Sequence, residues 1–390
     1  MPVLNRVADL LPDIVAYRRD IHAHPELGFD EHRTSAFVAE RLREFGCDEV
    51  VTGIGRTGVV GVIKGKRAMS NGNLKVIGLR ADMDALPIEE GTGLPYASKS
   101  KGLMHACGHD GHTAMLLGAA LYLAETRNFA GTAVLIFEPA EEVGTGAQAM
   151  LDDGLMERFG IDQVFGMHNA PGLPIGVFGI RQGPVLAATD SIEIRIEGLG
   201  GHPGMPHKCI DSILVGAQLV TALQQVLAQN VDPLESAGLS FHEFHSGTTQ
   251  RVISQTAELR GSMRTLTPEV RQLVKKRIGE VVAGIARVTG AKIDLTIESS
   301  DAVVFNHAAP TELAIRAAKD VAGEDNVHET PPVLGGEDFS YMAKARPGAF
   351  VWCGNGDSAG LHHAAYDFND EAIPYGTSFW IKLVEKTLKV

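Results

Sequence analysis

The sequence is short of cross-links, of positive charge and of long apolar stretches, and each shortage removes a class of protein. Four cysteines occur in 390 residues, Cys47, Cys107, Cys209 and Cys353, and they lie far apart. Such spacing offers no disulfide framework and matches a reducing cytosol, so a cytoplasmic location is expected. Lys and Arg number 35 against 48 Asp and Glu, a formal net charge of −13. Nucleic acids and anionic membranes both need clustered Lys and Arg, so neither is an expected partner. No apolar run looks long enough to span a bilayer, and no membrane partner is expected. Arg6, Asp9 and Asp13 interrupt the apolar residues of the N-terminus, so no secretory signal is expected there. Repeats and low-complexity tracts are absent from the sequence.

What remains has the balance of a globular enzyme, with 44% hydrophobic and 21% charged residues. The length exceeds one ordinary core, so two domains are expected. Helical spacing marks Leu4–Ala23, and a second helix is expected over Arg33–Phe45. Val- and Ile-rich runs bounded by Gly mark strands at Gly58–Lys64 and Lys75–Leu79, with further buried strands at Thr132–Phe137 and Val164–Met167. Near Ala187 the texture changes. Asp190–Glu197, Ala237–Phe244, Thr256–Met263 and Lys292–Glu298 alternate like antiparallel strands, with helices at Ile210–Leu227 and from Pro268 to about Val288. This alternation predicts an α+β domain at residues 188–301, inserted between two halves of an α/β domain, 1–187 and 302–390. Its polar-faced strands with free edges make a plausible dimerisation surface.

The stretch Met104–His112, M-H-A-C-G-H-D-G-H, packs three His, one Cys and one Asp into nine residues. Thiolate and imidazole at Cys-x-His spacing suit a transition metal, and Gly108 and Gly111 would let the backbone close around an ion. An apolar helical run follows at Thr113–Ala124, so the cluster is expected as a loop feeding a helix. Candidate ligands recur just past strands: Asp82 and Asp84, the 104–112 cluster, Glu141 and Glu142, and His168. Adjacent carboxylates cannot easily aim at one ion, so one is expected to bind metal and its neighbour to polarise a water. Doubly wound sheets gather strand ends into one crevice, which makes the recurrence informative. His22 and His24 are open between ligation and packing. A cysteine-nucleophile mechanism, with Cys107 attacking and His109 or His112 as base, is the competing chemistry. It leaves Glu142, His168 and His362 without a role.

These pieces together resemble the M20 metallopeptidase family, in its amidohydrolase branch of hippurate hydrolases, N-acyl-amino-acid deacylases and auxin-conjugate hydrolases. The matching segments are R-R-D-I-H-A-H-P-E-L-G-F (Arg18–Phe29), R-A-D-M-D-A-L-P (Arg80–Pro87), the 104–112 cluster and E-P-A-E-E (Glu138–Glu142). They continue with G-M-H-N-A-P-G (Gly166–Gly172), G-G-H-P-G-M-P-H (Gly200–His207), G-G-E-D-F (Gly335–Phe339) and L-H-H-A-A-Y-D-F-N-D (Leu361–Asp370). The resemblance implies a zinc-peptidase-like, mostly parallel sheet with flanking helices, plus an inserted antiparallel lid and dimerisation domain. It implies two divalent metal ions, Mn, Zn, Co or Ni, on Cys107, His109, Glu142, His168 and His362, with Cys107 bridging. Glu141 would be general base and acid, and Asp82 and Asp84 would orient the ligands from behind. His202 would stabilise the oxyanion in a neighbouring subunit's site, and Arg264 would meet the substrate carboxylate. The expected substrate is a small N-acyl amino acid with an acetyl, benzoyl or indole-acetyl group. A homodimer or homotetramer through the inserted domain is expected. A dipeptidase, an N-carbamoyl amidohydrolase or a non-catalytic metal-binding protein are the alternatives. One departure stands out: Arg251 replaces the family's usual Asn, and it would favour a second acidic group on the substrate or point to solvent.

Overall fold

A computed structural model describes residues 5–66, 75–247 and 249–389. The strands, in chain order, are β1 (Glu49–Ile54), β2 (Gly58–Lys64), β3 (Val76–Asp82), β4 (Thr132–Glu138), β5 (Gln163–Ala170), β6 (Phe178–Gly179), β7 (Gly183–Leu186), β8 (Ala188–Glu197), β9 (Ala237–Ser246), β10 (Thr256–Thr265), β11 (Lys292–Ser299), β12 (Val304–Asn306), β13 (Val327–His328) and β14 (Gly348–Gly354). The helices used below are α1 (Asn5–His22), α2 (His32–Glu44), α3 (His109–Thr126), α4 (Ser212–Asn230) and α5 (Pro268–Thr289).

The chain divides into two compact units: residues 1–185, 304–331 and 338–390, and residues 186–303 with 332–337. The first holds an eight-stranded mixed sheet in the order β1-β2-β4-β3-β5-β14-β6-β13. Its centre is parallel, with β4, β3, β5 and β14 running the same way. Both faces of these strands are covered, so they read as continuous apolar runs, as in L-I-F of β4 and V-I-G-L of β3. Helix α3 is buried along most of its length, including Ala114, Met115, Leu116, Leu117, Ala119 and Ala120. Parallel direction places the carboxyl ends of β3, β4, β5 and β14 on one edge of the sheet. Those ends are Asp82, Glu138, Ala170 and Gly354.

The second unit is a four-stranded antiparallel sheet, β11-β8-β10-β9, with α4 and α5 on one face. Its pattern is a strict alternation: Ile192, Ile194 and Ile196 point into the core, and Glu193, Arg195 and Glu197 point away. α4 is 19 residues long with mean hydropathy 1.2, which reaches the length and composition of a membrane span and nothing more. Its inward side, Val215, Leu219, Leu223 and Val226, packs in the core of this unit.

Two local expectations change. The helix after the Cys-His cluster starts at His109 rather than at Thr113, so His109 and His112 share its first turn. Gly111 is therefore helical, and the space its missing Cβ leaves is filled by the Phe368 ring. Strand β5 runs through His168 and Asn169 rather than ending before them.

Candidate metal centre

Strand ends and one helix terminus supply the donors. Cys107 leads into Gly108, which has φ 94, and a Cβ there would lie 2.5 Å from Asn169 Oδ1 and 2.6 Å from Tyr366 Oη. Only glycine fits both that backbone and that space, and the chain can then turn from Cys107 directly into α3. His109 is fully buried, and its Nδ1 faces only acceptors, the Asp84 carbonyl at 2.9 Å and Asp84 Oδ1 at 3.2 Å. Nδ1 must therefore carry the proton, which leaves the Nε2 lone pair free. His168 repeats the arrangement. Its Nδ1–H donates to the Asn169 carbonyl at 2.8 Å, and its Nε2 lies 3.3 Å from Cys107 Sγ.

The E-P-A-E-E turn brings Glu141 and Glu142 beside these groups. Glu141 Oε2 and Glu142 Oε1 each lie 3.9 Å from His109 Nε2, and Glu142 Oε1 lies 3.4 Å from His362 Nε2. His362 is half-exposed and sits at φ 62, held there by its N–H donating to the Ala106 carbonyl at 2.8 Å. Of the five trios of potential ligand atoms within 4.8 Å among the described residues, two, Cys107–His109–His168 and Cys107–Glu142–His362, meet at Cys107. His109 Nε2 is buried and makes no hydrogen bond. A buried polar atom left unpaired costs about 1–3 kcal/mol, so it needs a partner. A soft thiolate shared by two imidazole and carboxylate sets fits two divalent ions. Burial pushes the Cys107 thiol well above its ordinary value, with His109 opposing. That disfavours a free thiolate nucleophile, whereas a metal ion would deprotonate the thiol outright.

The carboxylates behind the ligands are anchored in turn. Asp84 Oδ2 accepts the Glu142 N–H at 3.0 Å, so one side chain positions both His109 and Glu142. Asp82 accepts from His112 Nδ1 at 2.6 Å and from Arg80 Nη1 at 2.7 Å. Burial would raise the Asp82 carboxyl, but His109, His112 and Arg80 outweigh it and hold it well below its ordinary value. His112 Nε2 lies 2.7 Å from Asn169 Oδ1 and 3.0 Å from the Asn169 backbone N, so both its nitrogens are engaged. The fully buried Arg80 also donates to Glu138 Oε2 at 2.7 Å and to Asp338 Oδ1 at 3.3 Å.

His22 and His24 do not join the trios. His22 donates from Nδ1 to Asp110 at 2.8 Å, and Arg18 Nε reaches the same oxygen at 2.7 Å. Burial would lower the His22 pKa, but Asp110 and Glu90 beside it raise it to about 9. His24 Nδ1 bonds the Asp20 carbonyl at 2.7 Å. His105 is buried with neither ring nitrogen bonded, and burial pushes it down to about 3. On the second unit, His202 Nδ1 accepts the Gly204 N–H at 3.0 Å and caps its own turn. Arg264 Nη1 donates to the Leu334 carbonyl at 2.7 Å, and Arg251 is exposed at φ 65. Sequence reasoning missed Arg18, Arg80, Asp110 and Asn169. An Arg inside an apolar strand run, as at Arg80, is the signal that was available, since a charge there requires buried partners.

Residues 78–386 match the profile of peptidase family M20/M25/M40. A hippurate hydrolase of Campylobacter jejuni is 41% identical, with all of both chains covered. An N-acetyl-L-cysteine deacetylase of Bacillus subtilis is 39% identical over 98% of this chain and 90% of its own length. Among solved structures, the Bacillus subtilis YXEP protein, described as a dinuclear metal binding peptidase from the M20 family, superimposes with a TM-score of 0.86. It is 35% identical and covers 98% of this chain and 99% of its own.

Proposed function

The chain belongs to peptidase family M20/M25/M40, whose relatives here hydrolyse amides, and from that premise we propose that it cleaves the amide of an N-acyl amino acid. The products are a carboxylic acid and a free amino acid. The observation that carries this reading is the pair of donor trios meeting at Cys107, with the Glu141 carboxylate beside them. Two divalent ions on Cys107, His109, Glu142, His168 and His362 would polarise the scissile carbonyl and acidify the attacking water. Glu141 takes the proton from that water as its oxygen bonds the carbonyl carbon, and delivers it to the amine as the C–N bond breaks. Asp84 holds the His109 imidazole in the right tautomer, and Asp82 fixes His112 beside the ligands.

On the second unit, we assign His202 to the oxyanion and Arg264 to the substrate carboxylate, a pairing suited to a guanidinium. Arg251 favours acyl-aspartate or acyl-glutamate. The exposed Leu199, Met205, Ile213 and Leu214 of this unit support its assignment as the oligomerisation surface. The four unpaired cysteines support a reducing compartment.

The test is hydrolysis of a panel crossing acetyl, benzoyl and indole-acetyl groups with Gly, Met, Asp and Glu. Stripped protein receives Mn, Zn, Co or Ni in turn. Metal-restored turnover that Glu141→Gln abolishes is the expected result. Tight metal binding without cleavage of any member would refute the substrate assignment and send the search to carbamoyl amides and dipeptides.

A further inference from the structure

Glu141 is only as well aimed as the backbone before it, and that backbone is held in a conformation alanine does not favour. Ala140, fully buried, sits at φ 53. A non-glycine residue in the left-handed region stays there only when its surroundings fix it. The fixing groups come from the segment Glu26–Glu31, more than 100 positions earlier. Glu31 Oε1 accepts the Ala140 N–H at 2.8 Å, and Glu31 Oε2 accepts the Thr57 hydroxyl at 2.5 Å. Glu31 is fully buried and has no ion-pair partner among the described residues, so this carboxylate is committed to neutral donors. A Cβ on Gly28 would lie 2.9 Å from Ala140 Cα and 2.7 Å from Val143 Cγ2, so the segment also presses on the turn from outside.

The same segment reaches the other side of the centre. The Ala85 N–H donates to the Glu26 carbonyl at 2.8 Å, and Leu27 bridges Ala85, the residue after Asp84. Glu26 Oε1 and Oε2 take the Arg33 and Thr34 N–H groups at 2.9 and 2.8 Å, which caps α2 and roots the bracket in a helix.

We infer that Glu31 is a positioning residue for hydrolysis: its carboxylate holds the left-handed Ala140 backbone and thereby aims Glu141. The inference rests on the assignment of Glu141 as general base. Removing the carboxylate orphans a buried N–H and frees Ala140 to relax, which turns the Glu141 Cα–Cβ bond away. The ligands lose less, because the Glu142 N–H stays on Asp84.

The experiment compares Glu31→Ala, Glu31→Gln, Thr57→Val and Glu31→Ala with Ala140→Gly, each with bound metal counted. Glu31→Ala lowers kcat on the order of 100-fold, the effect of misplacing a catalytic group by about 1 Å. KM and metal content hold. Gln keeps one acceptor for Ala140 and recovers part of kcat. Ala140→Gly recovers part of it in the Ala background, because glycine adopts positive φ freely. Amide hydrogen exchange speeds up over residues 140–146 and not over α3. Unchanged kcat in Glu31→Ala, a loss matched by lost metal, or exchange raised evenly across the protein would each overturn the inference. If Glu31→Ala does not fold, Glu31→Gln and Thr57→Val carry the same readouts, and wild-type kcat in both overturns it. Glu141→Gln run alongside separates the two readings: turnover surviving that change removes the base assignment itself, whatever Glu31 does.

Discussion

Replacing Asp84 separates two jobs done by one carboxylate. Its Oδ1 supports His109 Nδ1 at 3.2 Å, and its Oδ2 accepts the Glu142 N–H at 3.0 Å. The His109 proton has a second acceptor, the Asp84 backbone carbonyl at 2.9 Å, which survives any side-chain change. Asp84→Asn therefore keeps the His109 tautomer and one acceptor for Glu142, and loses the negative charge behind the ligand. Outer partners of metal-binding His are worth about 10–100-fold in affinity, and Asn belongs near the lower end. Asp84→Ala also leaves the Glu142 N–H without its acceptor. An unsatisfied buried donor costs about 1–3 kcal/mol, which adds roughly another tenfold at 1.4 kcal/mol per decade. Competition against a chelator of known affinity, with Zn or Mn, reads both numbers without any substrate. Dissociation constants for Asp84→Ala within about threefold of wild type would refute the claim that this side chain sets ligand geometry.

Cys107→Ala removes the donor common to both trios, so metal stoichiometry measured by elemental analysis falls from two to one or none. A retained pair of ions would show that the bridge lies elsewhere. The His22 pKa of about 9 stands above its unfolded value near 6.5, so its contribution is fully present below pH 6.5 and lost as pH rises through 9. At about 1.4 kcal/mol per pKa unit the loss is about 3 kcal/mol. Urea midpoints at pH 6.5 and 9.5 check it, and a midpoint no lower at the alkaline end contradicts it. Arg264→Ala raises KM for acyl amino acids by about 10-fold, as expected for a lost charged hydrogen bond of about 1.5 kcal/mol, and leaves metal content untouched. Arg251→Asn lowers the preference for acyl-glutamate over acyl-glycine, and an unaltered ratio would place Arg251 outside substrate recognition.

The β-strands were readable because burial on both faces and burial on one face leave different marks. V-I-G-L of β3 and L-I-F of β4 are continuous, and I-E-I-R-I-E of β8 alternates, so burial on two faces and on one announce themselves in composition. Ends were less legible. α3 begins at His109, four residues before its apolar run, because its first turn is filled by buried polar groups that carry no hydrophobic period. Pairing across the fold was not legible at all. Nothing local to Arg80 says that it meets Glu138 and Asp338, and nothing local to Glu31 says that it meets Ala140. Such contacts depend on which strands become neighbours, and single-sequence periodicity does not contain that.

The centre is assembled from two kinds of support that fail in different ways. The trios hang on backbone features: the Gly108 turn, the first turn of α3, and the Asn169 and Asp84 carbonyls on His168 and His109, which survive any change of side chain at 169 and 84. The carboxylates behind them hang on side chains, and these are charges in a dry interior. Arg80 meets Asp82, Glu138 and Asp338 there, with no exposure on any of the four. Breaking one partner of a buried ion pair costs about 3–5 kcal/mol, because the charge left behind has no solvent. The charge network therefore cannot loosen gradually. It holds the strand ends β3 and β4 in one register beneath the ligands, and a fold that keeps its sheet keeps its donors aimed.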